Sequence, residues 1–103
     1  MNFKTKVAKL CFSEELSVSD DWAPNYPDNK VKAKISSRKT SSGYFVIFSI
    51  SGGDDCGAEM IFYSNNYESC EADFKKAKQI YNNLKSLEPI DLDYLMSIGF
   101  ERW

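Results

Sequence analysis

The side chains able to do chemistry are few, and their spacing narrows them further. The 103-residue chain has no histidine, which removes Ser/His/Asp and Cys/His catalytic groupings and any zinc site built on imidazole. Its three cysteines, Cys11, Cys56 and Cys70, form an odd set with no C-x-x-C spacing. They read as reduced thiols, and three thiolates lacking a fourth ligand make a poor zinc site. Serines are plentiful, but neither a histidine nor a Ser-x-x-Lys pattern is present to activate one. The densest carboxylates near a glycine-rich turn are Asp54, Asp55 and Glu59. Paired carboxylates can move protons or hold a magnesium ion, but this spacing matches no calcium loop, and Gly-Gly-Asp-Asp is also what a hairpin turn requires. The turn carries neither glycine pattern of a phosphate cradle. The inventory predicts no enzyme, no cofactor and no bound metal.

Charge offers more. Net charge is −2, but residues 1–51 carry eight Lys/Arg against five Asp/Glu, while residues 52–103 carry five against ten. Such a split describes a two-signed surface able to meet a charged partner. On the basic side, Lys30, Lys32 and Lys34 alternate with Val31, Ala33 and Ile35, and Arg38-Lys39 extend the charge into the next turn. A lysine face on a strand can track phosphates, although lysines also blunt a sheet edge against aggregation. Lys4 and Lys6 would enlarge the patch if the N-terminal segment paired alongside. On the acidic side, Asp54, Asp55, Glu59, Glu68, Glu71 and Asp73 could engage a basic groove. Asp20 and Asp21 beside Trp22, with Tyr26 nearby, form a second candidate recognition spot on a loop.

The elements that must position these residues follow from periodicity. Lys30–Ser36 alternates with one wet face, and Tyr44–Ser51 is largely apolar on both faces, as expected in the middle of a sheet. Ala58–Tyr63 returns after the Gly52–Gly57 turn, and the short spacings imply consecutive antiparallel pairing. A helix follows, with Ser69 as N-cap, an apolar stripe of Phe74, Ala77, Tyr81, Leu84 and Leu87 widened by Ile80, and Pro89 as its end. Asp91 caps a second, short helix that stops at Gly99, and Phe100 and Trp103 fold back onto the core edge. Ser13–Asn29, interrupted by Pro24 and Pro27, reads as a long loop. For Met1 to Phe12 two readings stand. Phe3, Val7, Leu10 and Cys11 fit a helical stripe, while Phe3, Thr5 and Val7 alternate as in a strand, which the β-favouring residue types support.

The fold class is therefore α+β: a meander of three or four antiparallel strands, one long helix and a short C-terminal helix, in a single domain spanning 1–103. Apolar residues at 43% and aromatics at 15% suffice for one compact core. No apolar run approaches the roughly 20 residues of a membrane span, and no leading stretch reads as a signal peptide, so a cytoplasmic location without membrane contact is expected.

Phe74-Lys75-Lys76-Ala77-Lys78 resembles the K-K-x-A-K opening of the second helix of double-stranded-RNA-binding domains. Phe74 stands where that family has its first lysine, Glu68, Glu71 and Asp73 precede it, and the G-P-x-H element is missing, so the family's RNA contacts are not carried across. In overall character, a short, acidic, aromatic-rich α+β chain without catalytic inventory is similar to the small phage-encoded inhibitors, anti-CRISPR proteins among them. That resemblance implies a non-enzymatic inhibitor of a nucleic-acid-handling host protein, a nuclease or nucleoprotein complex, acting by steric and electrostatic occupation. The alternative is direct nucleic-acid binding through Lys30, Lys32, Lys34, Arg38 and Lys39, with Tyr44 or another exposed aromatic stacking on bases. Neither reading sets the oligomeric state.

Overall fold

The computed structural model describes residues 10–18, 30–52 and 57–102. Five strands, β1 (Cys11–Ser17), β2 (Lys30–Thr40), β3 (Gly43–Ser51), β4 (Gly57–Ser64) and β5 (Glu101–Arg102), form one antiparallel sheet in the order β1-β2-β3-β4-β5. Among the described residues two helices complete the α+β fold, α1 (Tyr67–Ser86) and the short α2 (Leu92–Ser97). The expected meander is present, with the doubly apolar strand at its centre. The strand count is five, not three or four.

Both additional strands lie at the edges. Ser13, placed at the start of a loop by its polar neighbours, lies inside β1, which runs on to Ser17. Phe12 and Leu16 point towards the helix side, Leu16 fully buried, and Glu14 shares their parity at the sheet margin, where its carboxylate remains exposed. Residues 1–9 and 19–29 lie outside the described residues, as does Trp103. At the opposite edge β5 pairs only Ala58 with Arg102 and Glu59 with Glu101.

One face of the sheet carries the core. Val31, Ala33, Ile35, Val46, Phe48, Ile50 and Ala58 meet Cys70, Phe74, Ala77, Tyr81 and Leu84 of α1. These five helix positions repeat at three- and four-residue intervals, the stripe of an amphipathic helix. Leu87, assigned to that stripe from sequence, is instead 52% exposed, because the helix has ended and Leu87 is its C-cap. The N-cap is Asn66 rather than Ser69. Its Oδ1 accepts from the Ser69 backbone N–H at 2.8 Å, so the helix begins a turn earlier than expected and brings Cys70 into the core. At the far end Leu95 of α2, Ile90 and Phe100 close the core margin, with the Phe100 ring edge-on to Phe48 at 5.1 Å. Asp91 caps α2 as expected, its carboxylate accepting from the Tyr94 N–H at 2.7 Å.

Half of the β1 edge is covered by this same machinery. The Tyr81 hydroxyl donates to the Glu15 carbonyl at 3.2 Å and the Ile90 N–H to the Ser17 carbonyl at 3.1 Å. The Ser17 N–H donates to the Glu88 carboxylate, which also pairs with Lys85 at 3.4 Å. Partial burial works to raise the Glu88 pKa, but these two donors outweigh it and hold the carboxyl below its ordinary value. Edge groups that would otherwise recruit another strand are thereby satisfied from within the chain.

Candidate functional site

No helix covers the other face of the sheet among the described residues, and strand alternation decides what stands on it. On β2 it bears Lys30, Lys32, Lys34, Ser36 and Arg38, and on β3 Phe45, Ile47, Ser49 and Ser51. The register extends these positions into rows across neighbouring strands. Arg38, Phe45 and Tyr63 form one row, and Cys11, Ser36, Ile47 and Ile61 the next. Below them lie Ser13, Lys34, Ser49, Glu59 and Glu101, then Glu15, Lys32 and Ser51. Rows are separated by roughly 7 Å and strands by roughly 5 Å.

The result is a column of cations alongside an apolar block. Lys30, Lys32, Lys34 and Arg38 are exposed, and among the described residues none of them forms an ion pair. Ile61 and Tyr63 are 53% and 52% exposed, unusual for large apolar side chains on a strand. The Phe45 and Tyr63 rings lie 5.2 Å apart at 58°. Tyr63 is held in place from its far end, where its hydroxyl donates to the Ser42 carbonyl or, at 3.0 Å, to Asn65 Oδ1. Its ring rests over Gly43, whose φ of +146° and lack of a side chain make room for it.

Two residues assigned to the lysine face do not belong to it. β2 continues to Thr40, so Lys39 has the opposite parity from Arg38 and lies on the helix side, its Nζ 5.8 Å from the Tyr44 ring centre. Tyr44 is buried there at 6% exposure, its phenol pKa raised by burial and then by Cys70 and Glu68, so it offers no stacking surface. The aromatics on the helix-free face are the next pair in register, half-buried Phe45 and exposed Tyr63. Sequence reading missed them because β3 is apolar on both faces, as a strand covered twice would be. The available signal was a shortage of covering elements: one long helix can cover only one face.

The carboxylates are dispersed. Glu59 stands on the helix-free face opposite Glu101, whereas Glu68, Glu71 and Asp73 belong to α1 on the other side of the sheet. Tyr67 donates to Glu71 at 3.4 Å. Asp54 and Asp55, and the loop residues Asp20, Asp21, Trp22 and Tyr26, lie outside the described residues. Among the described residues no group of three or more His, Cys, Asp or Glu side chains is placed to hold a metal. A small open pocket of about 180 Å³, lined by Glu59, Met60, Ile61, Gly99 and Glu101, adjoins the apolar block. Of the thiols, Cys70 is buried in the core, its pKa pushed up by burial and then by Asp73 and Glu71, while Cys11 is exposed on the helix-free face. No described helix is long and apolar enough to cross a membrane.

No protein-family model, curated protein or solved structure matches the chain. The functional reading therefore rests on the chemistry of this face.

Proposed function

We propose that the chain is a non-enzymatic nucleic-acid-binding protein whose ligand lies on the helix-free face of its sheet. The observation that carries this reading is the shared parity of four exposed cations on β2 with half-buried Phe45 and Ile47 on β3 and exposed Ile61 and Tyr63 on β4. Cations neutralise phosphates with release of counterions, and exposed rings give bases something to stack on. The absence of histidine and of any activated nucleophile in the sequence supports binding without turnover. An electrophoretic shift with oligonucleotides at two salt concentrations tests it. A shift is expected at low salt that weakens steeply as salt rises, and no shift at low salt removes the reading.

A second reading is the inhibitor of a nucleic-acid-handling protein, for which the similarity to small phage-encoded inhibitors is the prior. One observation favours it: Glu68 and Glu71 stand a turn apart at the start of α1, where carboxylates could enter a basic groove. Glu59, on the opposite face of the sheet, cannot join them on one surface, which is why this reading comes second. A pull-down against host nuclease complexes tests it, and recovery abolished by Glu68→Lys with Glu71→Lys is the expected result.

A further inference from the structure

Charge is distributed across the helix-free face with a direction, and that direction selects among nucleic acids. The cations lie in a column on β2, Lys30, Lys32 and Lys34 at every second residue and Arg38 beyond Ser36. Two and three strands away, on β4 and β5, Glu59 and Glu101 stand opposite one another. Between and above them lie Phe45 and Tyr63, directly in register with Arg38. We infer that the ligand is single-stranded nucleic acid, with its phosphates along the β2 cations and its bases turned over Phe45 and Tyr63. This rests on the nucleic-acid reading proposed above.

The physical case has three parts. First, Lys30, Lys32 and Lys34 at spacings of roughly 7 Å, with Arg38 about twice that distance beyond Lys34, run for about 25 Å, enough to follow one extended backbone. Second, a duplex would bring a second backbone, and B-form grooves are about 6 and 12 Å wide. With one strand on β2, the other would approach β4 and β5, roughly 10 to 15 Å away, where the exposed Glu101 would repel it. The face has cations for one backbone and a carboxylate where the other would lie. Third, the half-buried Phe45 ring and the exposed Tyr63 ring can be used only by bases free of pairing and stacking, and those of a duplex are not. Arg38 beside Phe45 and Tyr63 adds a planar cation to the same stacking row. Ser49 and Ser51 continue the base side of the column with hydroxyls that pair with any base edge. Glu15, opposite Lys32, offsets part of the cationic column and sets a limit to its strength.

Fluorescence anisotropy with labelled DNA and RNA single strands of about 12 nucleotides, and a duplex of the same sequence, tests the inference on the full chain. The single strand is expected to bind at least tenfold more tightly than the duplex, whichever sugar it carries. Phe45→Leu, which keeps the apolar bulk and removes the ring, is expected to weaken single-strand binding about tenfold, and Phe45→Tyr to retain it. Lys34→Ala is expected to reduce the salt slope by about 0.7 for a single strand. Should Phe45→Leu fail to fold by circular dichroism, methyl NMR on the unaltered chain decides the point. Bases stacked on the row shift the Ile47 and Ile61 methyl signals upfield, and shifts confined to the lysine column overturn the inference. Equal affinity for single strand and duplex, lost with Lys34→Ala but not with Phe45→Leu, also overturns it and leaves the nucleic-acid reading standing. Absence of binding to either at low salt removes both.

Discussion

Gly43 shows how one residue holds the exposed aromatic row in shape. A Cβ built there would lie 2.6 Å from Tyr63 Cε1 and 2.8 Å from the Ser64 carbonyl oxygen, at a φ that side chains rarely adopt. The Ser64 carbonyl is backbone and cannot swing aside as a side-chain tip could, so the β3–β4 pairing would have to shift. Gly43→Ala is expected to cost about 1–3 kcal/mol in urea unfolding and to displace the Tyr63 ring. The thiols make a second prediction at this scale. The Cys70 thiolate is disfavoured by burial and by two nearby carboxylates, while Cys11 faces solvent. In a Cys56→Ser background, a thiol reagent at neutral pH should label Cys11 readily and Cys70 only on unfolding, as peptide mass spectrometry would show. Rapid native labelling of Cys70 would contradict the placement of Cys70 within the core.

Elements are held at their ends by single polar contacts, and two of these can be weighed. Asn66→Ala removes the cap of α1 and should cost about 1 kcal/mol, with Asn66→Ser restoring most of it. Glu88 joins the α1–α2 connection to the β1 edge through the Ser17 N–H. Because folding lowers its pKa, the folded state binds fewer protons at Glu88 than the unfolded chain does. Its contribution is therefore fully present above the ordinary carboxyl pKa of about 4.5 and is lost as pH falls through the lower folded value. Glu88→Gln should flatten that acid limb in denaturant titrations while costing about 1 kcal/mol at neutral pH. The same scale explains what the sequence could disclose. The meander was legible because Val31, Ala33 and Ile35 alternate with lysines, and because turn residues separate the three runs. Asp91 was legible as a cap because an apolar run follows it at once. β1 was hidden because Glu14 sits on the inward parity, which at an edge costs nothing when the carboxylate can reach water. β5, two residues long, has no period to read. Lys39 and Tyr44 were misassigned together, because extending β2 to Thr40 settles the parity of both.

At the scale of the whole molecule, the two sides of the sheet do different work, and this separation can be measured. Among the described residues, every large fully buried side chain lies on the helix side or in the segments that close it, Phe48 and Leu95 among them. Phe48→Ala should cost about 3–5 kcal/mol, since the cavity left under α1 is walled by Phe100 and cannot collapse freely. The helix-free side carries the exposed lysines of β2. Lys34 is flanked across the sheet by Ser13 and Ser49, and Lys30 by Ser17, so among the described residues neither has an opposite charge directly across from it. The double substitution Lys30→Ala with Lys34→Ala should leave stability within about 0.5 kcal/mol, as surface changes away from special features do. It should nevertheless lower the salt slope of single-strand binding by about 1.4, two phosphate contacts at about 0.7 each. Unfolding curves that coincide, together with a binding curve that does not, would mark the lysine column as dispensable to the fold and necessary to its ligand. If the double variant instead lost several kcal/mol of stability, the column would belong to the architecture of the sheet, and the binding role proposed for it would fall.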